Sequence, residues 1–408
     1  MNFSKAAVVL WALATPMLVS MSAEDIAVQA EIVHTMAGEA VTNGLVLIKG
    51  GRIGFVGKAG TVEIPAGARL LKAKVVTPGL IDAHTVVGMA GILNQPHDQE
   101  QLEKSAPMQP ELRAVDAYNP RDPLVDYVRG FGVTTIHTGH GPGALISGQT
   151  MIVKTHPVNL DQALVNPSAM IAVTLGLGAA SGDKGKAPGT APKAVAMLRS
   201  ELLKGQDYAR KQANKELDKR PARDLRLEAL GRALDGTQRF LVTVNRHQDI
   251  LAALRLAAEF KLSIVLDGLS DAPMVLEDLR RSGFPIVLHP TMFRANTETE
   301  NLSFETASKL KAAGFLFALQ SGFESYVPKT RVVLFEAAVA AAHGLSKDDA
   351  LASITRDAAK LLGIDKRVGS LEPGKDADLA LYDGDPFEYT THCVGVIVNG
   401  IVTDAMPR

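Results

Sequence analysis

The sequence predicts an α/β protein: a TIM-like (β/α)8 barrel with a small, discontinuous β-sandwich domain built from both chain ends. Three observations carry this prediction. Both ends are rich in short β-branched segments, the middle alternates apolar strands with amphipathic helices, and the clearest middle strands recur at a regular spacing. With 408 residues, 46% of them hydrophobic, the chain can bury one large core and a smaller satellite.

The first element is an apolar N-terminal segment that resembles a secretory leader. Lys5 provides a positive charge, and the residues from Ala6 to Met21 are almost wholly apolar. Small residues near Ser22 and Ala23 suit cleavage there. We therefore expect residues 1–23 to be a signal peptide, the mature protein to be periplasmic, and no stable membrane insertion after cleavage.

The second element is a composite β-domain, predicted over residues 24–76 and 366–408. Its clearest unit is a hairpin in which Gly50 and Gly51 separate two strands, because two glycines adopt the positive φ angles of a tight turn. The C-terminal part has the same texture, with strands predicted at Asp378 to Tyr382, Gly395 to Asn399 and Ile401 to Thr403. We expect both parts to join in one domain.

The third element is the barrel itself, predicted over residues 77–365. Three strands begin 22 residues apart, at Phe240, Leu262 and Phe284, which is the length of one strand, a three-turn helix and two loops. The remaining predicted strands are Gly79 to His84, Val133 to Thr138 and Phe315 to Leu319. The predicted helices are 193–220, 248–260, 272–282, 303–313, 330–343 and 347–362, and residues 177–192 are predicted to be a mobile loop.

Composition excludes several partner classes. The chain has 43 basic and 44 acidic residues and a formal net charge of −1, so no nucleic-acid partner is indicated. Its single cysteine, Cys393, excludes an internal disulfide and a cysteine-rich metal motif. A small-molecule substrate or ligand is the expected partner, and a homo-oligomer is open.

Candidate site residues lie where the predicted strands end, because the loops of a parallel barrel converge there. As structural residues these side chains would be hydrogen-bonded without any further role; several at one mouth favour a site. The predicted catalytic set is His84, His137, His140, Asp267, His289 and Glu324, and the predicted substrate-binding set is Asn245, Arg246, Gln320, Ser321 and Tyr326.

Two motifs resemble the amidohydrolase superfamily, in its imidazolonepropionase-like and prolidase-like branch. The run from Val76 to His84 is similar to the family's first-strand signature, P-G-x-I-D-x-H-x-H. The run from Val368 to Leu379 resembles the family's return from the barrel to the β-domain. This resemblance implies hydrolysis assisted by one or two divalent metals that activate a water molecule.

The sequence departs from the family's ligand pattern at most positions. His84 matches the first histidine, but Val86 stands at the second. The family's further ligands are a histidine after each of strands five and six and an aspartate after strand eight. The resemblance places the two histidines on Asn245 and Gly268, and the aspartate on Gly322 or, with a register shift of one residue, on Ser321. His84 is therefore the only clearly retained ligand, with His137 and His140 as further candidates. The pattern disfavours a binuclear centre and leaves a single divalent metal such as zinc open.

Two functions remain open on these observations. The first is an amidohydrolase-like enzyme that cleaves C–N bonds of amides, lactams or dipeptide-like compounds, with metal or with metal-free acid and base groups. The second is a non-catalytic secreted protein that binds a small molecule on the same scaffold. A purely structural role is disfavoured, because burying so many polar groups without purpose is costly.

Overall fold

The computed structural model describes residues 24–403, apart from 94, 157–159, 177–178, 180–187 and 324–331. The predicted signal peptide and most of the predicted loop at 177–192 lie outside the described residues. So do two predicted site residues, Glu324 and Tyr326. Across the described ranges, no helix is long and apolar enough to cross a membrane.

Seventeen strands are described in chain order. They are β1 Ile26–Val33, β2 Val41–Lys49, β3 Arg52–Lys58, β4 Arg69–Pro78, β5 Leu80–Thr85, β6 Val133–Thr138, β7 Ile146–Gln149, β8 Met151–Lys154, β9 Leu164–Asn166, β10 Met170–Thr174, β11 Arg239–Val244, β12 Ile264–Gly268, β13 Ile286–Leu288, β14 Phe317–Leu319, β15 Leu379–Tyr382, β16 Cys393–Val398 and β17 Ile401–Thr403.

Ten α-helices accompany them in the described residues. They are α1 Pro123–Arg129, α2 Leu160–Ala163, α3 Ala191–Gln212, α4 Leu225–Leu234, α5 His247–Phe260, α6 Leu276–Ser282, α7 Thr306–Ala312, α8 Val333–Ala342, α9 Lys347–Ser353 and α10 Arg356–Leu362. The helix predicted over 347–362 is two helices, because the chain turns at Ile354 and Thr355 between them.

Strands from both chain ends form a single seven-stranded sheet in the order β17-β16-β15-β4-β1-β2-β3. The sheet curls until its two outer turns meet: a Cβ atom on Gly400 would lie 2.4 Å from the Cα atom of Gly51. Apolar side chains such as Val28, Val46 and Leu379 fill the inside of the curl. The described strands therefore bury a core within one curled sheet, where two stacked sheets were expected. The domain limits at 76 and 366 remain a prediction.

The middle of the chain forms a mixed α/β arrangement with two sheets. One has six strands in the order β14-β13-β12-β11-β10-β7, and the other has four in the order β5-β6-β8-β9. Strands β10 to β14 are all parallel. The predicted eightfold barrel is not confirmed, because after β6 the described chain returns through β7 and β8, which pair antiparallel to β10 and β6.

The two sheets nevertheless enclose one common interior. Because alternate side chains of a strand face opposite sides, one residue from each strand can point inward at the same level. Ile81, Ile152, Met170, Leu241, Val265, Val287 and Ala318 do so, and they pack against α10 at one end. At the other end, the amide of Gly322 donates to the carbonyl of His84 across 3.1 Å, which links the ends of β14 and β5.

Candidate functional site

A small cavity of about 80 Å³ lies at the carboxyl ends of β5, β11, β12, β13 and β14. Parallel strands direct their carboxyl ends to one side, so the residues that follow them meet there. The lining residues are His84, Thr85, Val86, Pro142, Thr243, Asn245, Asp267, Gly268, His289, Pro290, Phe293, Thr299, Gln320, Gly322 and Phe323. Five of the predicted site residues are therefore brought together: His84, Asn245, Asp267, His289 and Gln320.

The centre of the site is a buried pair formed by His84, on β5, and Asp267, on β12. The Nδ1 atom of His84 lies 3.2 Å from Oδ1 of Asp267. Two further groups donate to the same carboxylate: Gln320 Nε2 to Oδ1 at 2.6 Å, and Thr243 Oγ1 to Oδ2 at 2.5 Å. Three donors thus hold the Asp267 carboxylate in one orientation, and it holds the imidazole ring in turn.

The electrostatics of this pair favour its charged form. Burial by itself lowers the pKa of His84, but the charge and hydrogen bond of Asp267 outweigh it, and the net pKa of His84 is raised. Burial raises the pKa of Asp267, yet His84, Thr243 and Gln320 together lower it below its ordinary value. Nδ1 of His84 therefore donates to an ionised carboxylate.

His289 faces the same cavity in the opposite state. Its Nδ1 atom donates to the carbonyl of Pro290 at 2.9 Å, and burial lowers its pKa to about 4. The ring is therefore neutral near pH 7, and its Nε2 atom carries a lone pair. By hydrogen-bond geometry, neither Nε2 of His289 nor Nε2 of His84 has a partner among the described residues, although both are buried and the backbone of His140 is near enough to His84 to contribute to its raised pKa. Because both residues line the cavity, a ligand placed there could pair with these two atoms.

His137 does not line the cavity, contrary to the prediction. Its Nδ1 atom donates to the carbonyl of Ala83 at 2.8 Å, and its Nε2 atom accepts from the Thr150 hydroxyl at 2.7 Å. Burial lowers the pKa of His137 to about 3, so the neutral ring uses both nitrogens to tie β6 to its neighbours. Both ring nitrogens of His137 have hydrogen-bond partners, so this histidine has a structural role.

His140 is also outside the lining. It packs against β7, where a Cβ atom on Gly148 would lie 2.6 Å from Nε2 of His140. Burial lowers its pKa to about 4. His137 and His140 therefore both lie outside the lining, and neither ring nitrogen of His140 has a hydrogen-bond partner among the described residues.

Two predicted substrate-binding residues are likewise placed outside the lining. Arg246 directly precedes α5, and its Nε atom donates to Asp249 at 3.0 Å. Ser321 lies behind the cavity: its amide donates to Asp82 at 3.0 Å and its hydroxyl donates to Thr85 at 3.0 Å. Burial raises the pKa of Asp82 to about 6, although hydrogen bonds from Ser321 and from the backbone of His84 act against that rise.

Sequence reasoning missed several lining residues. Thr243 could have been predicted from the sequence, because it precedes Asn245 by two positions and so lies on the same side of the chain at the end of β11. Phe293 and Thr299 could not have been predicted, because they come from the irregular segment after β13 and reach the cavity only through tertiary folding.

The residues present do not fit the metal centre that the family resemblance implies. In the described part of the chain, no three His, Cys, Asp or Glu side chains are grouped to hold a metal ion. Val86 lines the cavity at the position of the second histidine. At Gly268, with φ of 90°, a Cβ atom would lie 2.8 Å from Oδ1 of Asn245, so the site excludes a side chain there. No step of the chemistry below is therefore assigned to a metal.

Comparisons with known proteins agree with this architecture. The Amidohydrolase family model matches residues 304–406. An amidohydrolase, tasK, of Hapsidospora irregularis is 27% identical over 88% of this chain, which spans 39% of that protein's length. The imidazolonepropionase of Rhizorhabdus wittichii is 25% identical, over 86% of this chain and 91% of the enzyme.

Solved structures show the same similarity to amidohydrolases. An amidohydrolase from Thermotoga maritima superposes with a TM-score of 0.86 at 26% identity, covering 92% of this chain and 99% of its own. Prolidase crystal structures share the fold at 16% and 17% identity, with TM-scores of 0.58 and 0.55. The chain is therefore similar over most of its length to amidohydrolases and imidazolonepropionases, and it shares the fold of the prolidase structures.

Proposed function

We propose that this protein is a hydrolase that cleaves a C–N bond other than an ordinary peptide bond, in a small amide, lactam or dipeptide-like compound. One observation carries the proposal: two buried imidazoles in one cavity each present an unpartnered Nε2 atom, and the two have opposite hydrogen-bonding character. Groups whose surroundings push their pKa values apart are suited to act as the acid and the base of one reaction.

In the proposed reaction, a water molecule adds to the carbonyl carbon of the substrate. Nε2 of His289 accepts a proton from that water as the C–O bond forms. Nε2 of His84 donates its proton to the leaving nitrogen as the C–N bond breaks, giving a carboxylic acid and an amine. Asp267 stays ionised and keeps the His84 ring in place, while both histidines recover their starting states by exchange with solvent.

The surroundings of the cavity support this assignment of roles. Asn245 and Gln320 add polar atoms beside the two imidazoles, whereas Phe293 and Phe323 provide apolar walls. A pocket that is mostly apolar with a few fixed polar groups is the common form of a small-molecule site. Its limited volume favours a compact substrate over a polypeptide.

The test is hydrolysis of a panel of small lactams, N-acyl amino acids and dipeptides, followed by detection of the amine released. We expect turnover by the wild type, and a decrease of about 10²- to 10⁴-fold in both His84→Gln and His289→Gln. His343→Gln is the matched control, because that histidine is exposed at the end of α8. Unchanged rates in the two cavity variants would contradict the assigned roles.

A second candidate is a non-catalytic protein that binds a small molecule in the same cavity. It is favoured by the valine and glycine that stand at ligand positions of the family, Val86 and Gly268. The same panel separates the two functions: a compound that raises the thermal midpoint of the wild type without being hydrolysed supports binding alone.

Location and architecture complete the proposal. We infer from residues 1–23 that the protein is exported to the periplasm, which N-terminal sequencing of the mature protein would test. We also infer that the two central sheets act together as a TIM-like barrel, with residues 24–76 and 366–408 as the composite β-domain. A homo-oligomer remains a prediction, for which light scattering of the purified protein is the measurement.

A further inference from the structure

We propose that the buried Asp267–His84 pair takes the place of a metal centre, so that this cavity holds no resident divalent cation. This inference concerns the same cavity as the proposed function, but it stands on the donor atoms and their partners rather than on turnover. It decides against the single divalent metal, such as zinc, that the sequence left open.

The first argument is the number of free donor atoms. His84 Nδ1 is engaged by Asp267, and both oxygens of Asp267 already accept hydrogen bonds from other side chains. His137 uses both of its ring nitrogens. Among the lining residues described, the free donors of metal-ligand type are Nε2 of His84 and Nε2 of His289, whereas zinc sites in proteins use three or more strong ligands.

The second argument is charge. Three side chains already contact the two oxygens of Asp267, so the carboxylate is not available to coordinate and balance a divalent cation. The other acidic group at this end of β5, Asp82, is not in the lining, and its Oδ1 atom accepts from the amide of Ser321. A divalent ion placed beside His84 would therefore lack a counter-charge in a buried site, which is strongly unfavourable.

The third argument is that the cavity wall excludes a third ligand where one would complete the set. Asn245 lies against Gly268 and already accepts from Ser270 Oγ at 3.1 Å. The positive φ of Gly268 and the short approach of Asn245 keep position 268 without a side chain. Val86 is 4% exposed and supplies only methyl groups.

The experiment is metal loading of the purified full-length mature protein with zinc or manganese, followed by dialysis and elemental analysis. The variants are His84→Gln and His289→Gln. We expect metal well below one ion per chain, at the same level in all three proteins, and no rise in the thermal midpoint of the wild type when zinc is added.

Near-stoichiometric metal in the wild type that is lost in both variants would overturn the inference. His289→Gln keeps the test decisive if His84→Gln folds poorly, because His289 is neutral and its loss leaves no buried charge unpaired. The result can be separated from the hydrolysis panel: metal-free protein that hydrolyses nothing would contradict the proposed function and leave this inference standing. Metal-bound protein that hydrolyses an amide would contradict this inference and the acid and base roles of the two histidines, but not the hydrolysis itself.

Discussion

Two buried ion pairs lie toward opposite ends of the central strands. They differ in whether all of their polar side-chain atoms have hydrogen-bond or ion-pair partners. At one end, Lys154 on β8 contacts Asp378 and, at 3.5 Å, Asp376. Asp376 also meets Arg52 and Arg367, at 3.1 and 2.8 Å. This group of three cations and two carboxylates, the Lys154 cluster, ties the central sheets to the curled terminal sheet and pairs both buried carboxylates.

The Asp267–His84 pair is equally buried but incomplete. Its carboxylate is saturated, whereas Nε2 of its imidazole has no partner and lines a cavity. Because an unpaired buried polar atom costs stability, a pair that keeps one serves a ligand, while a fully satisfied pair serves the fold. The comparison therefore separates a saturated ion cluster from one with an unpaired atom without reference to their positions in the sequence.

The largest expected effect is at the Lys154 cluster. Lys154→Met removes the counter-charge from buried Asp378, and breaking a buried pair in this way costs about 3–5 kcal/mol of unfolding free energy. Urea denaturation is the measurement. Lys347→Met is the control, since Lys347 is exposed where it contacts Asp385 at 2.6 Å. If the two substitutions cost the same, the Lys154 cluster is not a structural clamp.

The second-largest loss of stability is expected at the Asp267–His84 pair. His84→Leu leaves Asp267 charged in a buried site, so we expect a loss of about 3 kcal/mol. Adding Asp267→Asn should recover much of that stability, because no isolated charge remains, but it should not recover hydrolysis. A double mutant that regains turnover would show that this pair is structural, like the Lys154 cluster.

A pH titration of stability should distinguish the histidines of the site from one another. The pKa of His289 falls from 6.5 to about 4 on folding, so the unfolded chain binds its proton first. Stability is then lost as pH falls from 6.5 to about 4, at about 1.4 kcal/mol per pH unit for this residue. His289→Gln should show a shallower acid slope in urea denaturation at stepped pH.

His84 has the opposite sign. Its pKa is raised on folding, so its contribution is complete below pH 6.5 and is lost as pH rises through the folded value. The cost of His84→Leu should therefore be smaller at pH 9 than at pH 6. Hydrolysis should follow the same two groups, falling at low pH as His289 is protonated and at high pH as His84 loses its proton.

The smallest effect is at the donors that hold Asp267. Thr243→Val removes a hydroxyl from a charged hydrogen bond without changing the side-chain shape, and should cost about 1.5–3 kcal/mol at most. Thr243→Ser keeps the hydroxyl and should recover both stability and turnover. If Thr243→Val retains full turnover, the hydroxyl does not position the carboxylate.

Much of this protein could be read from local sequence. The hairpin at Gly50 and Gly51 lies between β2 and β3 as predicted, and the six strands predicted in the middle of the chain overlap β5, β6, β11, β12, β13 and β14. These elements depend on periodicity and turn residues, which are local properties of the chain. The convergence of His84, Asp267 and His289 followed from the rule that parallel strands end at one side.

What the tertiary structure decided is which polar side chains remain available. His84 and His137 follow neighbouring strands and looked equivalent in sequence, yet a backbone carbonyl and Thr150 occupy both nitrogens of His137, while Nε2 of His84 stays free. Thr150 lies between β7 and β8, where the chain returns antiparallel, and no local sequence pattern predicted that it would contact His137. Hydrogen-bond saturation depends on partners distant in the sequence, so only the fold could distinguish a fully hydrogen-bonded histidine from one with an unpaired ring nitrogen.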